Sequence, residues 1–138
     1  MNIVNNPFQI LCARRKRLVD VSGQFFPSEE RRMLTAIKLD FDGTSVLLTA
    51  QSADDSIDVT FNESILDEPG YKIENLNDVE PWKNALHRPM LWAWRMINQQ
   101  GYFDGLQFDF AENVEDKVTR IQLLVVASEF KICVVPER

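Results

Sequence analysis

Histidine occurs once in this chain and cysteine twice, beside five glycines and six prolines. With His87 alone, a metal site built from several histidines is excluded, and a conventional nucleophile–base pair has to use that residue. Cys12 and Cys133 stand near opposite ends among apolar neighbours. They show none of the close spacing of a zinc or redox motif, so both are expected to be buried free thiols of a reducing compartment. Long hydrophobic runs are missing too. The longest, such as Met90 to Trp94 and Leu123 to Ala127, hold five residues, against the ~20 that cross a bilayer. The first residues have neither the charged start nor the apolar stretch of a secretory signal, so a cytoplasmic location and no membrane partner are expected. A basic excess is also lacking. The net charge of −6 argues against nucleic acid, whose phosphates call for a basic face.

What is present is ordinary for a folded protein. The 138 residues are 45% hydrophobic and include nine Phe, three Trp and two Tyr, enough large side chains for one core, so a single domain over residues 1–138 is expected. Charge is unevenly placed along the chain. Residues 14–38 carry seven basic and three acidic side chains, whereas residues 54–80 carry one basic and nine acidic. Such blocks read first as solvated surface; they also suit mutual pairing across a homo-oligomer, or a protein partner with a basic surface.

Asn6-Pro7 is a helix start, and Pro7 to Ala13 is read as a short helix. Arg17 to Val21 puts Val19 and Val21 on one side, with Ser22-Gly23 and Pro27-Ser28 as punctuation beyond it. Met33, Thr35, Ile37, Leu39 and Phe41 alternate as the buried face of a strand. Asp42-Gly43 then predicts a tight hairpin, because both central residues of such a turn take positive φ, and Ser45 to Ala50 returns. Ile57, Val59 and Phe61 mark a third strand. Residues 62–89, broken by Pro69-Gly70, Pro81 and Pro89, read as one long irregular connection with a helical turn near Trp82, the first place to look for a ligand surface. Met90, Trp92, Trp94 and Met96 alternate, although Pro89 and Gly101 also suit a helix. The strand is chosen because Asn98 to Gly101 reads as a turn and Leu106, Phe108 and Phe110 alternate after it. Val118 to Ala127 and Phe130 to Val135 form a last hairpin. The expected fold is mainly β: an antiparallel sheet of consecutive hairpins, curled or packed on itself, with one or two short helices. A helix at residues 90–97 would make it α+β.

Leu39-Asp40-Phe41-Asp42-Gly43-Thr44 resembles the first motif of haloacid-dehalogenase-like phosphatases. That resemblance implies Asp40 as nucleophile, Asp42 as the acid for the leaving group, and Mg²⁺ held between carboxylate and phosphate. It covers about six residues, and the hairpin that returns from Gly43 is not the parallel strand such enzymes use. A hydrolase built on Asp40 and Asp42 is therefore the alternative reading, and no catalytic residue, metal or cofactor is expected. His87 with Cys12 or Cys133 reads as structural, and the pairs Asp54-Asp55 and Asp67-Glu68 as solvated.

The segment from Leu91 to Phe108 carries Trp-x-Trp, Asn-Gln-Gln-Gly-Tyr and Asp-Gly-x-Gln. In these motifs it resembles a group of small uncharacterised bacterial proteins, which lends a domain of unknown function and no catalytic residues. Trp92 and Trp94 share a face of their strand, and two roles are open to it. One is core packing. The other is a binding patch of Trp94, Arg95, Asn98, Gln99, Gln100 and Tyr102, joined by Trp82 and Asp104, whose aromatic, Arg and amide groups are typical of interface anchors. The functional expectation is a non-enzymatic, protein-interacting module, immunity-like in one concrete form.

Overall fold

The computed structural model describes residues 7–27, 32–65 and 69–134. It is mainly β, with two antiparallel sheets and two short helices. Helix α1 (Pro7–Ala13) precedes β1 (Leu18–Pro27), β2 (Arg32–Phe41), β3 (Thr44–Gln51), β4 (Ser56–Phe61) and β5 (Lys72–Asn75). Helix α2 (Trp82–Ala85) leads into β6 (Met90–Ile97), β7 (Phe103–Phe110), β8 (Thr119–Val126) and β9 (Glu129–Val134). The first sheet has the order β4-β3-β2-β1-β5 and the second β6-β7-β8-β9. Neither sheet closes, so β4, β5, β6 and β9 are edges.

The two sheets share one core. Val21, Ile37, Leu39, Val46 and Leu48 of the first face Leu106, Phe108, Ile121 and Leu123 of the second, all fully buried. Phe8 of α1 packs its ring 5.5 Å from Phe108 and 6.1 Å from Phe61, closing one end. Burying such side chains is the main favourable contribution to folding, about 1.5–3 kcal/mol for each large one.

The Asp42-Gly43 hairpin forms, with Phe41 opposite Thr44, but its turn differs from the one expected: Gly43 takes a positive φ of +82° and Asp42 does not. Residues 90–97 are a strand, and α1 occupies the expected range. Three further expectations change. First, β1 runs on through Ser22-Gly23, where Gly23 lies so close to Leu76 and Leu34 that a Cβ would meet them at 2.9 and 3.0 Å. Second, Val19 and Val21 do not share a side: the register slips between Leu18 and Asp20, so Val21 is buried and Val19 exposed. A second slip opposite Gln24 and Phe25 swings Thr35 off the core face and puts Leu34 into it. Each is a β-bulge, which adds one residue to a strand and flips the side chains beyond it. Third, the connection at 62–89 contains β5 and is plugged into the core by Leu76, Trp82 and Ala85. Asn6, Ser28, Asp67, Glu68 and Val135 lie outside the described residues.

The sheets are tied at opposite ends. At one end the backbones of Lys16 to Leu18 and His87 to Met90 exchange hydrogen bonds: His87 donates to Leu18 at 2.7 Å, Leu18 to Arg88 at 3.1 Å and Met90 to Lys16 at 3.2 Å. At the other, Asp55 in the β3–β4 turn accepts from the Ser128 backbone N–H in the β8–β9 turn at 2.8 Å. Asp55 sits at φ +54°, a region that Asp adopts more readily than Ala. Asp55→Ala is therefore expected to cost about 1–2 kcal/mol in urea unfolding, through the lost hydrogen bond and backbone strain, and Asp55→Asn less.

Candidate functional site

The second sheet turns one face to the core and the other outward. A register slip between Met90 and Trp92 decides which residues go where. Met90 is fully buried opposite Phe110, and strict alternation from it would carry Trp92 and Trp94 inward. The extra residue, Leu91, reverses them. Trp92 is 52% and Trp94 42% exposed, so of the two roles open to this face, core packing is not the one it takes.

Behind the indoles the outward residues form cross-strand rows. Trp92 stands opposite Asp109, which stands opposite Arg120. Trp94, Gln107, Gln122 and Cys133 make the next row, and Met96, Gly105, Leu124 and Lys131 the third. Asp109 is only 1% exposed and is held by a two-pronged ion pair, Arg120 Nε at 2.7 Å and Nη2 at 2.8 Å. The guanidinium also lies 5.7 Å from the Trp94 ring, within reach of a cation–π attraction. Glu129, likewise buried, accepts from Lys131 Nζ at 3.4 Å on the same face. Both carboxylates are thus matched by cations.

The residues named from sequence fall in four places. Trp94 belongs to this outer face, whereas Arg95 points to the other side of β6, its guanidinium 4.3 Å from the Phe103 ring. Trp82 is wholly buried, its indole N–H without a hydrogen-bond partner among the described residues. Asn98 organises the β6–β7 turn: its Oδ1 accepts from the backbone of Gln100 at 2.9 Å and of Tyr102 at 3.2 Å, and its Nδ2 donates to Asp104 at 3.2 Å. Gln99, Gln100 and Tyr102 are exposed beside it. Trp92, Gln107, Asp109, Arg120 and Gln122 share this face and lie outside the patch that the sequence suggests. The cross-strand register that joins them is not written in any local motif; alternation of Gln107 and Asp109 against Leu106 and Phe108 was the one available signal.

The catalytic alternatives find little geometry. Asp40 lies on the outward side of the first sheet, 3.6 Å from Lys38 Nζ, and Asp42 is exposed in the turn, both in an antiparallel hairpin. His87 is exposed at φ +66° and bonds through its backbone, its carbonyl accepting from Arg17 at 2.6 Å. Neither thiol is a hydrogen-bond partner of it. Asp54 accepts from the Ser56 backbone at 3.1 Å, a turn-forming role. Among the described residues no three of His, Cys, Asp and Glu gather into a group able to hold a metal ion. No helix among them is long and apolar enough to cross a membrane.

A model for a family of unknown function, DUF6334, matches residues 1–138, the full length of the chain. The chain belongs to DUF6334. No curated protein and no solved structure matches this DUF6334 chain. The family carries no activity to transfer, which agrees with the resemblance drawn from the Trp-x-Trp segment.

Two measurements check the site. Arg120→Met leaves the buried Asp109 carboxylate unpaired and is expected to cost about 3 kcal/mol in urea unfolding, whereas Asp109→Leu/Arg120→Met recovers most of that loss. Both cysteines are free, Cys133 exposed and Cys12 half-buried. Burial pushes the Cys12 thiol up to about 11, so at mildly alkaline pH it stays protonated and unreactive. Iodoacetamide is expected to label Cys133 first, with Cys12 following only as the pH climbs toward that value or the chain unfolds; mass spectrometry of the labelled peptides reads the order.

Proposed function

We propose that this protein is a non-enzymatic binding module of the bacterial cytoplasm that engages a protein partner with a basic surface through the outer face of β6–β9. The observation that carries this reading is the pair of half-exposed indoles, Trp92 and Trp94, aimed outward by a bulge and backed by a paired, buried carboxylate. Tryptophan on a rigid strand supplies large contact area with few torsions to fix, and it is among the commonest anchors of protein interfaces. An exposed apolar surface of this kind is seldom left without an occupant.

The acidic balance supports the choice of partner. The β6–β7 and β8–β9 turns emerge at one end of the second sheet, since Ile97 pairs with Phe103 and Val126 with Glu129. The bond from Ser128 to Asp55 brings the β3–β4 turn, with exposed Asp54, to that same end. Acidic charge beside an aromatic face speeds encounter with a basic partner and favours it over others. Neutralisation of a basic toxin by an immunity-like chain is one concrete form of this reading. A second copy as occupant is the other, supported by the open edges of both sheets.

The test is paired affinity capture from the native host, with the wild-type chain and Trp92→Ala/Trp94→Ala as baits. A basic protein is expected on the wild-type bait, released as salt approaches ~1 M, where the screening length shrinks to ~3 Å, and absent from the variant. The exposed positions let the variant melt close to the wild type. Equal retention by both baits refutes the aromatic contact. Self-association alone in light scattering, abolished in the variant, transfers the face to a second copy.

A further inference from the structure

The basic run Arg14-Arg15-Lys16-Arg17 divides by alternation. Arg17 grips the Glu112 carboxylate with both prongs, at 2.5 and 2.8 Å, and Arg15 donates to the Glu112 backbone oxygen at 3.3 Å. The hydrogen bond to Arg17 holds Glu112 below the usual carboxylate range, assisted by the charges of Arg17 and Arg88. Arg14 and Lys16 take no part in this. They line a cavity of about 190 Å³ together with Ile10, Leu11, Thr44 and Phe61, where α1 meets the β2–β3 turn. Neither cation has a side-chain hydrogen bond or ion pair among the described residues. An acidic protein thus lines an apolar hollow with two positive charges that have no ion-pair partner among the described residues.

The hollow's chemistry narrows its occupant. Leu11 is buried and Phe61 half-buried, and the Phe61 ring is braced edgewise by Phe8 at 6.1 Å, so the floor is fixed and water-averse. At ~30 Å³ per water the volume holds roughly six waters, and it falls below the ~300 Å³ at which drug-sized pockets begin. A short chain or a single ring fits, and a nucleotide does not. Arg14 offers a planar fork, Lys16 a compact charge and Thr44 a hydroxyl donor, a set suited to one carboxylate. A phosphate group alone would leave the apolar floor uncovered.

We infer that this cavity binds a small organic carboxylate, its anionic head between Arg14 and Lys16 and its apolar tail against Leu11 and Phe61. This site is separate from the Trp92/Trp94 face and stands whether or not that face binds a protein.

The experiment titrates the isotope-labelled full chain with hexanoate, hexan-1-ol and inorganic phosphate, and follows backbone amide shifts by NMR. Hexanoate is expected to give saturable shifts centred on Ile10, Leu11, Thr44 and Phe61, with the Trp92 and Trp94 indole signals unmoved. Hexan-1-ol is expected to bind about tenfold more weakly, a difference of one decade in Kd, and phosphate not to saturate. Affinity for hexanoate should fall between ~0.01 M and ~1 M salt as the screening length drops from ~30 to ~3 Å. Arg14→Gln/Lys16→Gln should reduce binding about tenfold, and Ile10→Asp, at a position 47% exposed and therefore tolerant, should abolish it without loss of fold. Equal affinity for hexan-1-ol or phosphate, unchanged binding in the double variant, shifts centred elsewhere, or no saturable shift with hexanoate would each overturn the assignment.

Discussion

One inserted residue governs the second sheet. Because side chains alternate along a strand, Leu91 decides the side to which everything after it on β6 is turned. Without the slip between Met90 and Trp92, both tryptophans would press into a core already filled by Leu106, Phe108 and Phe110. With it, Met90 keeps its buried place while the indoles reach solvent. A bulge beside a binding surface commonly serves to re-aim a side chain, and here it re-aims two.

The buried Asp109 follows from the same geometry. Once Trp92 faces outward, its row continues through Asp109 to Arg120, and a carboxylate that has lost most of its water needs a matched partner. The two-pronged guanidinium supplies it and then reaches Trp94. Packing, charge pairing and aromatic contact therefore meet on one strand-to-strand line. The face is built as a unit rather than as scattered exposed residues, and the core beneath it holds the sheet against which the indoles are displayed.

How much of this was readable from sequence depends on how local each feature is. Asp42-Gly43, the alternation around Phe108, and the Val- and Ile-rich last hairpin have their causes within a few residues, and the strands they announced are present. The bulges at Val19, Thr35 and Leu91 are not local. Each depends on a partner strand that fixes which residue is extra, so an unbroken alternation such as Met90-Trp92-Trp94-Met96 looks regular in sequence and is not so in space. Trp82 illustrates the same limit. An aromatic in a proline-broken, polar connection reads as an exposed anchor, yet that connection folds back and seals the core with it. Arg95 adjoins Trp94 in the chain, and neighbours on a strand face opposite ways.

The free edge of β6 offers a different lesson. Its ladder with β7 is regular only from Trp92 to Met96, with a slip at either end. A foreign strand seeking to lengthen this sheet would find a stretch of five residues before the backbone bends away. Aromatic side chains are thus offered to a partner broadside, while the main chain that carries them is a poor template for fibrous growth. The same irregularity that exposes two tryptophans shields the molecule from the commonest hazard of exposing them.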